Sequence, residues 1–401
     1  MTQVIDLCHS RLMKIDTHLS ADALTATLSG RLDITTAPVL EQTLQLDGIR
    51  LLTLDLGDCS FVSSAGLREV LKAQKKVSSQ GGKAVLINVS PEVHQVFEVT
   101  GFSRLIEIRR KAREISLEGL EFLSAGVCGE CYRLDRESIV KLYNEGIGAD
   151  IAEKEKAFAM AAFVAGIPTA ISYDVVSCGT RTGVVYEMLD AKLFSVVIRE
   201  NLQAIDDHGR MLAQVASALH ASVADPQVFP DFKASMAGYI ANLSQYLPSE
   251  DVALLQSRLA AMPEGDRCVH FDLHTSNIML RGNEPVIIDM GDLSRGSPMF
   301  DLGLLYMIFG LPEMGICEMA TRIPNAQGEQ LWKAFEKHYF ADLPAEEHAF
   351  FNQNRHFLAA MRLIYTISFL PKLREASLQW LRDLLLPKIR AEGSRGVAGS
   401  R

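Results

Sequence analysis

Short apolar runs alternate with amphipathic segments over residues 10–110 and predict strands separated by helices. The segments ALTATLSGRLD (23–33), LLTLDL (51–56) and KAVLINV (83–89) have the alternating or continuous apolar patterns of strands. The other elements predicted in this region are helices at 36–46, 64–82 and 91–102 and a last strand at 104–108. Together they predict a small sheet covered by helices, of about the size of one domain.

The junction between the strand at 51–56 and the helix after it, FVSSAGL (61–67), is rich in small residues. The pattern predicts Ser64 as the N-cap of that helix, because a serine hydroxyl there accepts a hydrogen bond from an unpaired backbone N–H. That role alone explains a serine at this position. A phosphate on Ser64 would also lie where the helix dipole and the free N–H groups favour negative charge, so a regulatory role stays open.

The charged segment RRKAREISLEG (109–119) precedes a region with a different pattern. The elements predicted there are a hairpin at 121–135, a strand at 138–143, a helix at 150–168 and strands at 169–176 and 182–189. Beyond them the chain is predicted to be mainly helical. The apolar stretch MFDLGLLYMIFGLP (299–312) is too short to cross a bilayer and contains Asp301, so we predict a buried core helix.

Polar residues suited to phosphoryl transfer occur at CVHFDLHTSNIML (268–280) and EPVIIDMGD (284–292). The first segment leads from an apolar run into a loop, where the carboxylate of Asp272 can accept a proton from a substrate hydroxyl. Asn277 and Asp289 offer hard oxygen ligands of the kind that bind Mg²⁺ bridging ATP phosphates. The two segments therefore predict a site for a nucleotide, its metal ion and an acceptor.

Two further residues complete this pattern, and one alternative competes with it. Lys141 supplies positive charge for the phosphates if Glu155, on the predicted 150–168 helix, holds it in place. His270 and His274 flank Asp272 and could instead form a metal triad, although no fourth ligand lies nearby in the sequence. The order of the residues favours phosphoryl transfer.

Composition limits the classes of function. The 401 residues predict two or three domains, and the net charge of −9 disfavours a general nucleic-acid binder. The seven cysteines are irregularly spaced, which predicts reduced thiols and a cytoplasmic protein; Cys128 and Cys131 form a lone CxxC, a weak signal for zinc or redox chemistry. The first sixteen residues lack the apolar core of a secretory signal, and we expect no membrane span.

Three blocks of the N-terminal region resemble a known domain: GRLDITTAPVLEQTL, DLGDCSFVSSAGLREVL and INVSPEVHQVFEVTGFSRLIEI. In this order and spacing, over roughly residues 12–110, they resemble the STAS domain of bacterial anti-sigma factor antagonists. The resemblance implies that Ser64 is a phosphorylation switch and that an anti-sigma factor or kinase-type protein is a partner. The family often has Asp immediately before the switch serine, whereas this chain has Ser63.

The region 120–390 resembles the aminoglycoside-phosphotransferase and choline-kinase-like branch of the protein-kinase-like fold. HFDLHTSNIM matches the catalytic loop of that branch, which implies Asp272 as the base and Asn277 as a metal ligand. VIIDMGD matches its metal-binding segment, which implies Asp289 as the second ligand, and IVKLY supplies Lys141.

The same resemblance implies roles for further residues. SPMFDLGLL matches the next block, where Asp301 braces the catalytic loop, and His270 belongs to the same structural support. Glu155 stands before AGIP as the helix glutamate of the family does, and VVYEML is the hinge, where backbone groups around Glu187 and Leu189 meet adenine. The loop SAGVCGECY lacks the protein-kinase glycine pattern and no Ala-Pro-Glu follows, which argues against a eukaryotic-type protein kinase.

We therefore predict a multidomain chain of mixed α/β and α+β class. A STAS-type sheet with helices is followed by a bilobal protein-kinase-like domain with a β-rich N-lobe and a helical C-lobe. The predicted boundaries are a STAS domain at 1–110, a linker at 111–119, a kinase-like domain at 120–392 and a flexible tail at 393–401.

The predicted activity is transfer of the ATP γ-phosphoryl group, with Mg²⁺, to a hydroxyl of a small molecule or a protein serine. The acceptor cannot be read from the sequence. The alternative is a non-catalytic signalling adaptor, an anti-sigma factor antagonist whose kinase-like half only senses nucleotide.

Overall fold

The computed structural model describes residues 13–398, which divide into two compact units between Glu114 and Ile115. Cys8 and most of the segment used to judge a secretory signal lie outside the described residues. Within residues 13–398, no helix combines the length and the apolar character needed to span a membrane.

From residue 13 onward, the N-terminal unit forms one five-stranded sheet and three α-helices. Its elements are β1 (Lys14–Ser20), β2 (Ala23–Leu32), α1 (Ala37–Thr43), β3 (Leu51–Val62), α2 (Ser64–Ser79), β4 (Lys83–Val89), α3 (Pro91–Val99), β5 (Glu107–Arg110) and the short β6 (Arg113–Glu114). The sheet order is β1-β2-β3-β4-β5, with an antiparallel pair at β1-β2 and parallel pairs elsewhere. The predicted sheet covered by helices is confirmed.

Strand β3 shows how the sequence pattern forms the core of this unit. Leu52, Leu54 and Leu56 are fully buried, while the intervening residues are only half-buried, because successive side chains of a strand point to opposite faces. Each buried leucine contributes roughly 1.5–3 kcal/mol to stability. Strand β3 continues beyond the predicted residue 56 to Val62. Strand β1 was not predicted, because its side chains are almost all exposed and show no apolar periodicity.

The start of α2 differs from the prediction by one residue. Ser63, not Ser64, is the N-cap: its backbone is extended and its side chain accepts a hydrogen bond from Gly66 N at 3.3 Å. Ser64 is the exposed first residue of the helix. Gly66 is required by close packing, because an added Cβ would lie 2.5 Å from the carbonyl oxygen of Leu32.

The second unit has a sheet-rich first part and further short strands later in the chain. Its strands are β7 (Glu121–Ala125), β8 (Gly129–Arg133), β9 (Ser138–Tyr143), β10 (Ser172–Cys178), β11 (Arg181–Glu187), β12 (Lys192–Leu193), β13 (Arg267–Val269), β14 (Ile278–Arg281), β15 (Glu284–Ile287) and β16 (Ser294–Gly296). The antiparallel order β10-β11-β9-β8-β7 places β9 centrally, and two smaller sheets are formed by β12-β14-β15 and β13-β16.

The rest of this unit is helical, as predicted. Its helices are α4 (Ala149–Val164), α5 (Phe194–Glu200), α6 (Ile205–Ala221), α7 (Phe232–Asn242), α8 (Ser249–Ala260), α9 (Met299–Leu305), α10 (Ile316–Thr321), α11 (Asn325–Tyr339), α12 (Ala345–Phe369), α13 (Arg374–Trp380) and α14 (Leu386–Ala398). Helix α4 ends before the predicted residue 168 because Gly166 has a φ of +82° and terminates the helix. Residues 393–398, part of the predicted tail, belong to α14.

Helix α9 confirms the prediction of a buried core helix. All seven of its residues are buried, and a π-helical turn continues it from Tyr306 to Gly310. Gly303 lets α12 approach closely, because a Cβ at this position would lie 2.5 Å from the backbone carbon of Leu358. This contact fixes the part of α12 that reaches the candidate site.

Candidate active site

Lys141 and Glu155 form a buried ion pair between a strand and a helix. The Lys141 ammonium, on β9, lies 2.9 Å from Oε1 and 3.1 Å from Oε2 of Glu155, on α4. Glu155 is only 3% exposed, and Tyr143 and Tyr186 also donate their hydroxyls to its two oxygens. Burial and the Glu155 carboxylate raise the pKa of both phenols. Several donors therefore hold one carboxylate in place.

Asp289 approaches the same lysine from the other side. Its Oδ1 lies 2.7 Å from the Lys141 ammonium, although the two residues are far apart in the chain. Burial favours a lower pKa for Lys141, but the carboxylates of Asp289 and Glu155 outweigh it and raise the pKa well above its usual value. The ammonium therefore stays charged between two carboxylates.

Pairing of β14 with β15 brings Asn277 beside the Asp289 segment. Asn277 directly precedes β14, and its carbonyl oxygen accepts a hydrogen bond from Ile288 N at 2.9 Å. Its amide nitrogen donates to the backbone oxygen of Asp272 at 2.9 Å and to Oδ2 of Asp272 at 3.0 Å. The side-chain oxygen of Asn277 is therefore the atom suited to a metal ion.

Asp301 holds the backbone of the loop in front of Asp272. Its two oxygens accept hydrogen bonds from His270 N at 2.8 Å and Phe271 N at 2.6 Å. His220 Nε2 lies 3.1 Å from Oδ2 of the same carboxylate. Phe271 has a φ of +61°, a left-handed conformation that costs of order 1–3 kcal/mol in a non-glycine residue. The hydrogen bonds to Asp301 offset part of that cost.

Both ring nitrogens of His270 make hydrogen bonds to the backbone. Its Nδ1 accepts a hydrogen bond from Asp272 N at 3.2 Å, so Nε2 carries the proton and donates to Ile288 O at 3.1 Å. Neither nitrogen is free to bind a metal ion. Burial lowers the pKa of His274, which favours its neutral form beside Asp272. Because both ring nitrogens of His270 are engaged, and no group of three metal-ligating side chains occurs among residues 13–398, the alternative metal triad is not formed.

Arg362, which the sequence analysis missed, contacts Asp272 from α12. Its Nη2 lies 2.9 Å from Oδ1 of Asp272, and its Nη1 donates to Oδ2 of Asp292 at 2.9 Å. Burial alone would raise the pKa of Asp272, but the Arg362 guanidinium, the two neighbouring histidines and the hydrogen bond from Asn277 together lower it. Asp272 is therefore a carboxylate at neutral pH.

Three site residues were not predicted, and only two of them could have been identified from the sequence pattern. Tyr143 lies two residues after Lys141 on β9, and so on the same face, while β11 faces Lys141 through Val184, two residues before Tyr186. Strand periodicity would have found both tyrosines. Arg362 lies on a different helix, and no periodicity or spacing links it to Asp272.

The predicted hinge residues lie at the end of β11 and just after it. Glu187 N donates to Ile171 O at 3.0 Å, and the Glu187 side chain accepts from Ile171 N at 3.1 Å. Met188 N donates to Glu137 O at 2.7 Å. Leu189 is 7% exposed and packs in an apolar cluster of the same unit.

The CxxC pair does not form a metal site or a disulfide. Cys128 is exposed in the turn between β7 and β8, Cys131 lies on β8, and both thiols are free. Among residues 13–398, no group of three or more His, Cys, Asp or Glu side chains is arranged to hold a metal ion. Ser64 belongs to the N-terminal unit, at the start of α2.

Two anti-sigma factor antagonists are similar in sequence to the first unit. The chain is 40% identical over 88 residues to the putative anti-sigma factor antagonist BtrV of Bordetella bronchiseptica, covering 21% of this chain and 76% of the relative. It is 28% identical over 102 residues to the anti-sigma-B factor antagonist of Bacillus subtilis, covering 25% and 94%.

Solved structures similar to the second unit include phosphotransferases. A choline/ethanolamine kinase family protein from Mesorhizobium loti is 17% identical, with a TM-score of 0.43, covering 68% of this chain and 87% of that chain. An ADP-bound aminoglycoside phosphotransferase is 16% identical, with a TM-score of 0.43, covering 65% and 92%.

Two family models match the chain, one in each unit. The STAS domain model matches residues 14–115, and the model of the phosphotransferase enzyme family matches residues 121–347, more than half of the chain. The predicted fold class, a small sheet domain followed by a kinase-like fold with a sheet-rich and a helical part, is confirmed. The chain therefore belongs to the phosphotransferase enzyme family, with a STAS domain preceding the phosphotransferase part.

Proposed function

We propose that this phosphotransferase moves the γ-phosphoryl group of ATP to a hydroxyl acceptor, with Asp272 as the base. The observation that supports this best is the meeting of Lys141, Glu155 and Asp289 from three separate elements at one point. Lys141 bridges the two carboxylates at 2.9 and 2.7 Å, and Asn277 links the Asp289 segment to Asp272. A charged anchor for phosphates thus lies next to a candidate base and metal ligands.

The hinge supplies a candidate contact for adenine. In the described part of the chain, the N–H groups of Glu187 and Met188 already donate to backbone carbonyls, while that of Leu189 makes no such bond. We therefore expect Leu189 N to donate to the adenine ring. Glu187 then fixes the hinge through its bonds to Ile171.

The residues present fit Mg²⁺. This ion prefers oxygen ligands and is usually held by one or two protein groups together with substrate phosphates. The Asp289 carboxylate and the side-chain oxygen of Asn277 provide such groups, and among residues 13–398 no larger acidic cage replaces the phosphates. The bound ion would neutralise charge on the β- and γ-phosphates.

Transfer then needs one proton acceptor. As the acceptor oxygen forms its bond to phosphorus, the bond to the β-phosphate oxygen breaks and ADP leaves with the electron pair. The hydroxyl proton passes to the Asp272 carboxylate. Because the pKa of Asp272 is lowered, the carboxylate is a weak base, and its main contribution is to orient the hydroxyl.

Two single substitutions separate binding from transfer. Asp272→Asn should leave the Kd of MgATP nearly unchanged and reduce single-turnover transfer about 100- to 10,000-fold, because it removes the group that orients the hydroxyl and accepts its proton. Asp289→Asn should instead weaken Mg²⁺-dependent nucleotide binding. The measurements are nucleotide titration with and without Mg²⁺ and single-turnover ATP consumption with a panel of hydroxyl compounds and proteins.

Asp342→Asn, an exposed carboxylate in the same unit, is the matched control. If both active-site variants match the wild type with every acceptor that turns over, the assignment of Asp272 and Asp289 is wrong. Binding of MgATP without transfer to any acceptor would instead support the signalling adaptor.

We also propose that the STAS domain is regulated by phosphorylation of Ser64. Ser64 is exposed at the start of α2, while the neighbouring Ser63 is engaged as the N-cap. A phosphate adds roughly −1.5 to −2 charges at pH 7, and the helix dipole offsets about 0.3–1 kcal/mol of the local cost. The new charge would release an anti-sigma factor-type partner bound over that helix end.

The kinase for Ser64 is proposed to be the phosphotransferase part of this chain or of a second copy. Incubation with MgATP, followed by intact mass and peptide mapping, tests this, with Asp272→Asn as the control. Phosphate on Ser64 in the wild type alone is the expected result. An unmodified Ser64 while another acceptor is turned over would exclude self-phosphorylation, and phosphate on Ser63 would show that the switch is shifted by one residue.

A further inference from the structure

The guanidinium of Arg362 joins two loops of the active site. It lies 2.9 Å from Oδ1 of Asp272 and donates to Asp292 Oδ2 at 2.9 Å and to the backbone oxygen of Phe271 at 3.1 Å. Asp292 lies three residues after Asp289, in the same short 3₁₀ turn region. One side chain therefore contacts both the loop of the candidate base and the segment of the candidate metal ligand.

The surroundings of Arg362 fix its side chain in this place. Its guanidinium lies over the rings of Phe271 and Tyr365, at 5.3 and 4.8 Å, and the side chain is only 15% exposed. Tyr365 in turn donates its hydroxyl to Asp292 Oδ1 at 2.7 Å. The backbone of α12 is fixed one turn earlier by the close approach of Gly303 to Leu358.

The two oxygens of Asp272 have different partners. Asn277 binds Oδ2 at 3.0 Å and Arg362 binds Oδ1 at 2.9 Å, so rotation of the carboxylate is prevented only while both contacts exist. His274 Nε2 is 3.8 Å from Oδ1, too distant to replace the guanidinium in this role. Asp272 and Asp292 would also repel each other without the positive charge between them.

Stability alone does not explain a buried arginine between two carboxylates. Desolvation of such a group can cost as much as its ion pairs return, and apolar replacements of similar volume are often equally stable. A planar guanidinium, however, offers several donors in a fixed arrangement, which suits it to orient two carboxylates and a carbonyl at once. The arrangement is therefore best explained by a geometric demand.

We propose that Arg362 is a positioning residue for phosphoryl transfer, which orients the Asp272 carboxylate and fixes its loop against the Asp289 segment. The inference rests on the proposed function. Arg362 acts through Asp272 and Asp292 and does not bind the nucleotide. Its loss should therefore reduce the rate of transfer while leaving nucleotide affinity unchanged.

The test compares Arg362→Met and Arg362→Lys with Arg355→Met in the full chain. Arg355 is the matched control, since it lies two turns earlier on α12 and its guanidinium also lies over an aromatic ring, that of Tyr306, at 5.0 Å. Arg362→Met should lower kcat about 100-fold, the effect of a small misplacement of a reacting group, with the Kd of MgATP unchanged. Arg362→Lys should recover part of the rate, because one ammonium cannot make all three contacts.

Two further experiments distinguish a loss of positioning from misfolding of the Arg362 variants. They are the substitution Asp292→Asn and chemical rescue with added guanidinium. Asp292→Asn weakens the same link, so it should lower kcat, and the double variant with Arg362→Met should lose less than the product of the two separate effects. Added guanidinium should raise the rate of Arg362→Ala but not that of Asp272→Asn. Thermal unfolding of each variant identifies any loss of fold.

The outcomes separate the two proposals. If the wild type transfers phosphate and Arg362→Met has the same kcat, the positioning role is wrong and the proposed function still holds. A loss of kcat matched by an equal loss of nucleotide affinity, with no guanidinium rescue, also overturns it, since that is the effect of a merely structural residue. Absence of transfer from wild type to every acceptor removes both proposals.

Discussion

The ammonium of Lys141 lies 2.9 Å from Oε1 of Glu155, so a central strand and helix α4 are joined by a buried ion pair. Two tyrosine hydroxyls bind the same carboxylate. The lysine that we propose as the anchor for the phosphates is therefore held to both the sheet and α4.

Glu155→Gln should weaken nucleotide binding. The neutral amide still fills the site, but it loses the charge that opposes Lys141 and places its N–H₂ group against one of the two phenol donors. Loss of a charged hydrogen bond costs about 1.5–3 kcal/mol, so we expect the Kd of MgATP to rise at least about tenfold. Isothermal titration measures it.

Lys154→Gln is the control for this substitution. It removes a charge from the same helix, but its ammonium lies over the ring of Phe158 at 4.9 Å and does not contact Lys141. An equal loss of affinity in both variants would contradict a specific role for the Lys141–Glu155 pair.

Ser63→Ala should destabilise the first turn of α2, whereas Ser64→Ala should not. Only Ser63 accepts the capping hydrogen bond from Gly66 N, and loss of an N-cap costs about 1 kcal/mol. Hydrogen exchange should therefore become about fivefold faster at the first amides of α2 in Ser63→Ala. Faster exchange in Ser64→Ala instead would return the N-cap to the position that the sequence predicted.

Gly303→Ala should reduce the stability of the second unit. The new Cβ would lie 2.5 Å from the backbone of Leu358, and separating α9 from α12 should cost about 1–3 kcal/mol, as other overpacked sites do. Urea denaturation measures the change. Gly238→Ala on α7 is the matched control, because nothing lies within 4 Å of its added Cβ and alanine favours the helix by about 1 kcal/mol. Equal stabilities of the two variants would contradict close packing at Gly303.

Thiol alkylation should divide the cysteines into two groups. Burial raises the pKa of Cys268 and Cys317 to about 11, so at pH 8 almost no reactive thiolate is present at either residue. Cys128 is exposed, and although burial of its sulfur also raises its pKa, it should react with iodoacetamide before Cys268 and Cys317.

The rate of alkylation at the exposed cysteine should increase with pH. Alkylation of Cys128 should accelerate as the pH rises toward its raised pKa, while Cys268 and Cys317 should react only after unfolding in denaturant. Peptide mapping after timed quenching measures both. Rapid labelling of Cys268 in the native protein at pH 8 would contradict its burial.

Local patterns in the sequence were enough to predict most strands and helices. In β3 the alternation of leucines with polar residues follows directly from the geometry of a strand, and burial agrees with it. The loop from His270 to Asn277 could also be predicted, because its residues are close in sequence and their chemistry depends on spacing along one segment. Strand β1 could not, since its exposed side chains leave no periodicity.

Contacts between distant elements depend on packing and have no local signal. Arg362 reaches Asp272 only because α9 and α12 approach at Gly303, and no feature of the sequence around residue 362 encodes that distance. The one-residue shift from Ser64 to Ser63 has a similar cause: both serines suit an N-cap, and the end of β3 at Val62 determines which of them is used. Residue types thus indicated which chemistry the chain is suited to, whereas the packing of helices and strands determined which side chains contact one another.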